Sequence, residues 1–189
     1  MRFDTKAILK LMKQSWKGGG VKIRRFERGL RDMIFLTGAG WALLIPKESC
    51  PGELAAQMVI WLADMPRIGD SKWVVKGSDP QDIPAEESDA DLRRFTSGSY
   101  DTGLGCLPLR TETDALFQYG EYRAEAAAFP LEAAAVIASG ANLGFIDPTI
   151  HIARWKDEVT EALFWVCDNA GNVPQDVLDA AKRFVRQEH

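Results

Sequence analysis

The sequence predicts an α+β fold, an antiparallel sheet with helices packed on it. Three observations lead there. Residues 1–77 order as helix, three short strands, helix, strand, an α-β-β-β-α-β unit. Glycine-bearing turns join the three strands, as in an antiparallel meander. The second half shows a looser alternation of helices and antiparallel strands, without a sequence period that would mark a repeat.

The first helix spans Thr5 to Trp16. Asp4 or Thr5 caps it by accepting a bond from a first-turn N–H. Asp4 sits at the positive end of the dipole and Lys17 at the negative end, and Gly18-Gly19-Gly20 ends it. Ile8, Leu11, Met12 and Trp16 share its apolar side, with Leu9 at the edge. Val21–Glu27, Met33–Thr37 and Trp41–Pro46 are the strands, with Gly38-Ala39-Gly40 as a tight turn between the last two. The second helix opens at Pro51-Gly52-Glu53 and runs to about Asp64, with Ser49 as cap and Pro51 at its first position. Leu54, Met58, Trp61, Leu62 and Met65 mark its buried stripe. Ser71–Lys76 is a short strand.

Gly77–Asp91 holds six acids and two prolines and reads as a solvated linker or long loop. Arg93–Leu107 is rich in glycine and serine and reads as an extended loop. The expected organisation is therefore a unit over 1–77, a linker over 78–105 and a second α+β unit over 106–189, or one continuous domain. In the second half Cys106–Arg110, Ala115–Tyr119, Leu143–Ile146 and Thr149–Trp155 read as strands, and Pro130–Ser139 as a helix. Glu121–Phe129 fits either state, because its alanines favour helix while Phe129-Pro130 favours extended chain. Glu161–Cys167 is equally open between a buried strand and a continuation of Asp157–Glu161 as a helix. A last helix starts at Val173-Pro174 and packs through Val177, Ala181, Phe184 and Val185, with Lys182, Arg183 and Arg186 near its end.

Composition narrows the class. Apolar residues make up 46% and charged residues 26%, ordinary values for a globular chain. No apolar run approaches the ~20 residues that span a bilayer, and lysines interrupt any signal-type apolar stretch at the N-terminus. A cytoplasmic protein with no membrane partner is the expectation. Cys50, Cys106 and Cys167 are few, odd in number and far apart, which indicates neither a disulfide framework nor a metal knuckle.

The net charge of −4 hides an asymmetry. Residues 1–32 carry ten Lys and Arg against three acids, and residues 33–189 carry thirteen against twenty-four. On a helix, Lys6, Lys10, Lys13 and Lys17 fall within about 60° of one another and form one stripe. Lys22, Arg24, Arg25, Arg28 and Arg31 follow in the strand region. A basic edge on an acidic body suits a polyanion or an acidic partner, or packs on its own acidic body.

Catalytic signals are scarce. His151 has no second histidine or correctly spaced carboxylate to complete a metal site, and His189 is the last residue. Gly103-Leu-Gly105 and Gly38-Ala-Gly40 lack phosphate-loop spacing. Asp89 and Asp91 lie in the acidic stretch, and Asp101 and Asp114 are isolated. No cofactor, no metal and no enzymatic activity are expected. An enzymatic alternative would use Tyr100–Gly105 as a lid near Asp101, Cys106 or His151. Trp41, Trp61, Trp73 and Trp165 fit core positions, and Trp16 is expected to dock its helix rather than to stack on a base.

Two stretches carry a resemblance. Phe3-Asp-Thr-Lys-Ala-Ile-Leu-Lys-Leu-Met-Lys, followed by Trp16-Lys-Gly-Gly-Gly-Val-Lys and a strand hairpin, resembles small uncharacterised proteins of phages and mobile elements. The helix–meander–helix–strand order is similar to half of a DNA sliding-clamp domain, as is Phe129-Pro-Leu-Glu-Ala-Ala-Ala-Val-Ile leading into Leu143–Ile146. That resemblance implies basic helices facing a duplex, with sheet on the outer rim, and it carries no catalytic residue across.

Together these point to a non-enzymatic accessory protein. Lys6, Lys10, Lys13, Lys17, Lys22, Arg24, Arg25, Arg28 and Arg31 would contact nucleic-acid phosphates without reading sequence. The alternative is a protein-interaction or homo-oligomerisation module that sets the basic arm against an acidic surface.

Overall fold

A computed structural model of the chain describes residues 3–110, 112, 114–119, 125–137, 143–156, 162–166, 176 and 179–180. Helix α1 (Thr5–Gly18) begins where the Asp4 carboxylate accepts the Ala7 N–H at 3.0 Å. It ends where Gly19 and Gly20 both donate to the Ser15 carbonyl. Gly20 has φ +96° and lies against the Trp73 indole where a Cβ would sit, so two independent constraints select glycine there.

Strands β1 (Val21–Arg28), β2 (Arg31–Gly38) and β3 (Trp41–Pro46) form the expected meander. A 3-10 turn follows at Lys47–Ser49. In helix α2 (Gly52–Leu62), Pro51 is the N-cap and makes no side-chain cap bond. The cap expected from Ser49 is absent because Ser49 belongs to the 3-10 turn. Strand β4 (Ser71–Val74) then returns to pair with β1.

The acidic stretch departs from its expected form. Gln81–Asp82 is a short strand, β5, and Ala85–Thr96 is a twelve-residue helix, α3. Its inward side is short: Leu92 and Phe95 are apolar, and Ser88, one turn earlier, shares a hydrogen bond with Ser71 at 2.6 Å. Glu86 and Glu87 in the first turn, with Arg93 and Arg94 in the last, complement the dipole and make the rest polar. The Gly/Ser-rich stretch that follows is strand from Thr102 onward.

Strands β6 (Thr102–Arg110), β7 (Asp114–Tyr119) and β8 (Glu125–Pro130) form a second meander. The alanine-rich Glu121–Phe129 stretch is thus extended from Glu125. Ala127 lies opposite Phe117, and cross-strand packing of a small residue against a large one outweighs alanine's helix propensity. Helix α4 (Leu131–Ile137) and strands β9 (Leu143–Asp147), β10 (Ile152–Lys156) and β11 (Ala162–Val166) follow. The Glu161–Cys167 question resolves to strand from Ala162 to Val166. His151 lies in the β9–β10 turn at φ 53°, not in a strand. The expected Asp157–Glu161 helix, Cys167 and His189 lie outside the described residues. So does the expected C-terminal helix, apart from 176, 179 and 180, which are helical.

All described strands join one antiparallel sheet in the order β5-β4-β1-β2-β3-β11-β10-β9-β6-β7-β8. A repeat that no sequence period marks is visible in this order. Strands β1-β2-β3, helix α2 and β4 pair as 4-1-2-3; β6-β7-β8, helix α4 and β9 pair in the same way. Both third strands end in proline, Pro46 and Pro130. The β10–β11 hairpin joins the two units, because β11 pairs with β3 and β10 with β9.

Alternation along each strand sets two cores. Helices α1, α2 and α4 cover one face, where Ile8, Met12, Leu54, Met58 and Val136 meet Ile23, Leu36, Leu43, Leu163 and Trp155. Phe117, Phe129 and Trp155 pack edge to face there, with centroids 5.2–5.8 Å apart. On the other face, Phe95 of α3 and Tyr100 pack on Phe35, Leu44 and Phe164.

Candidate nucleic-acid interface

Helix α1 touches both α2 and α4 within the helical layer. Ile8, Leu11 and Met12 fix its inner side, which turns Lys6, Lys10, Lys13 and Lys17 to solvent. Ser15 also holds the helix down by accepting the Trp41 indole N–H at 2.9 Å. None of the four lysines makes an ion pair among the described residues. Like charges at i+3 and i+4 oppose an isolated helix by about 0.2–0.5 kcal/mol per pair, so packing and the Asp4 cap must hold this one.

The strand cations are placed differently. Lys22 points to the opposite sheet face, where its ammonium meets Asp91 at 2.6 Å and Glu87 at 2.9 Å, both on α3. Burial alone would lower its pKa; the two carboxylates more than offset that and raise it. Arg24 pairs with Asp89 at 2.5 Å on the same helix and lies 5.2 Å from the Phe26 ring centroid. Arg25 faces the α1–α2 side. It makes a forked contact to Asp32 at 2.7 and 2.9 Å and donates to the Pro66 carbonyl at 3.2 Å. The Arg25 hydrogen bonds hold the Asp32 carboxyl below its usual range, against the opposing effect of burial. Arg28 and Arg31 sit opposite each other at the exposed tip of the β1–β2 hairpin, with Leu30 fully exposed between them. The nine cations therefore divide into an outward stripe of four, three matched by the chain's own acids, and two at a hairpin tip.

One feature of this region is not legible in the sequence. Trp16 is half-buried and stacks on Trp61 of α2, with centroids 5.5 Å apart and planes 15° apart. It lies in a groove beside Lys13 and Lys17 rather than sealed beneath its helix. Trp16 ends one apolar stripe and Trp61 lies within another, the one signal available beforehand, but nothing in the sequence says that the two meet.

Tyr100 is buried, its hydroxyl donates to the Phe95 carbonyl, and burial pushes its pKa up to about 12. Residues 102–110 are strand rather than lid, and His151 is exposed in a turn. Among the described residues, no cluster of three or more His, Cys, Asp or Glu could hold a metal ion, and no helix is long and apolar enough to cross a membrane.

No family model matches the chain, and no curated protein matches it. Among solved structures, it is similar to the crystal structure of a DNA polymerase III subunit beta DnaN sliding clamp from Bartonella birtlesii LL-WM9. The identity is 10% and the TM-score 0.39, over 91% of this chain and 62% of that one. The chain thus spans less than two thirds of the length of that structure.

Proposed function

We infer that this is a non-enzymatic accessory protein that contacts nucleic-acid phosphates through Lys6, Lys10, Lys13 and Lys17. One observation carries the reading: a helix packed through Ile8, Leu11 and Met12 holds four ammonium groups outward without intramolecular counter-ions among the described residues, whereas Lys22, Arg24 and Arg25 have theirs. Arg28 and Arg31 add charge at the hairpin tip. Such contacts neutralise phosphates and do not read bases.

The test is a titration of fluorescent DNA at two salt concentrations. Four neutralised phosphates give a loss of affinity of roughly 100-fold between 50 and 200 mM salt. A Lys6/Lys10/Lys13/Lys17→Glu variant, folded by circular dichroism, should lose binding. Absence of binding by the intact chain at low salt would sink the reading.

A second reading has its own observation. Ile60 is 75% exposed beside the stripe, as at a protein contact. An acidic partner or a second copy would then cover the basic arm, with concentration-dependent association and no polynucleotide binding.

A further inference from the structure

The groove at the C-terminal end of the lysine stripe has chemistry that phosphate contact leaves unused. It encloses about 740 Å³, the size range of small-ligand sites. One wall is Trp16 of α1; a second is Ile60 and Trp61 of α2. The third is the segment after β4, tied to α1 where the Lys76 N–H donates to the Trp16 carbonyl at 2.9 Å. Lys13 and Lys17 stand on the rim, one helical turn apart, and Asp79 stands on the segment after β4. Both indoles are only half-buried.

We propose that this groove receives an unpaired base of a single-stranded nucleic acid, which extends the Trp16–Trp61 stack while Lys13 and Lys17 meet the adjacent phosphates. The near-parallel indoles are the reason to choose a planar heterocycle. A flat ring continues a parallel stack, whereas an aliphatic side chain gains nothing from two stacked rings. The ammonium groups at one end require the occupant to be anionic beside its ring, which describes a nucleotide within a strand. A duplex hides its base faces, so the groove favours single strands, and stacking makes it tolerant of sequence. The inference rests on the phosphate-contact reading and adds a preference to it.

The test compares a short oligothymidylate with an abasic strand of the same length and charge, using the full chain and following intrinsic tryptophan fluorescence. The oligothymidylate should bind about tenfold tighter and quench emission. Trp16→Phe should keep most of that difference, and Trp16→Leu should bring the two affinities together while leaving the salt dependence. The comparison on the intact chain needs no variant, so a folding defect in Trp16→Leu does not blunt it. Equal, salt-sensitive affinity for both strands overturns the inference and leaves the phosphate reading standing. Failure to bind either strand at low salt overturns both. Quenching by a glutamate-rich peptide bearing an aromatic residue, with none by the oligothymidylate, overturns it in favour of a protein partner.

Discussion

Asp147 accepts backbone N–H bonds from Ser99 at 2.8 Å, Thr149 at 2.9 Å and Ile150 at 3.4 Å, and so ties the β9–β10 turn to the end of the α3 connection. Burial alone would raise its carboxyl pKa; the backbone donors outweigh burial and depress it. A depressed carboxyl stabilises the fold above its unfolded pKa of about 3.9 and loses that contribution as pH falls through the folded value. Asp147→Ala should therefore cost about 2 kcal/mol at pH 7, since donors lose their acceptor. The gap between native and variant should narrow markedly at pH 3. Urea denaturation at both pH values checks this, and a gap that persists unchanged at pH 3 would mean that the anion is not what those N–H groups need. The Asp4 cap was readable from sequence because its partner is three residues away. Asp147 was not, because Ser99 is 48 residues away and no local pattern points to it.

Among the elements, α3 was hardest to see in the sequence and is the most instructive. Its residues are acidic enough to read as solvated chain, and its apolar side is narrow. Two contributions hold it on the sheet, and their magnitudes differ. The pairs of Lys22 with Glu87 and Asp91 are half-exposed, at 27–55% side-chain exposure, and such pairs contribute about 0–1 kcal/mol. Phe95 is buried against Phe35 and Phe164, and truncating such a ring costs about 3–5 kcal/mol. Phe95→Ala should thus destabilise the chain several times more than Glu87→Gln with Asp91→Asn, as measured by chemical denaturation. The reverse order would make the ion pairs, not the ring, the anchor. Either way, α3 determines which basic residues remain available. By matching Lys22 and Arg24 it removes two cations from the set that charge counting alone would assign to a polyanion.

In the whole molecule, two units of the same topology share one sheet through the β10–β11 hairpin. Leu163 lies opposite Leu43 at the seam between β11 and β3 and is fully buried. Shared strands and a shared core should make the chain unfold in one step. Leu163→Ala should cost about 2–5 kcal/mol and move the entire transition down. Calorimetry and far-UV circular dichroism should show coincident curves. Two transitions, only one of them shifted, would mean that the halves around residues 78–105 fold separately. The repeat itself was invisible in the sequence because strand order depends on pairing rather than on residue identity. The two units share only alternation, with Ile34 and Leu36 in one strand and Ala115, Phe117 and Tyr119 in its counterpart, and the proline that ends each third strand.

By itself, the sequence determined what short-range chemistry controls. The Asp4 cap, the glycine stop after α1, the first meander and its turns, and the lysine stripe opposite Ile8, Leu11 and Met12 all follow from residues within a few positions of one another. The tertiary structure alone decided the order of the strands, the neutralisation of Lys22 by Asp91 across 69 positions, and the meeting of Trp16 with Trp61 in a groove. Those depend on contacts between residues distant in the chain. Such contacts are selected by how the two faces of one sheet are buried, which no local periodicity encodes.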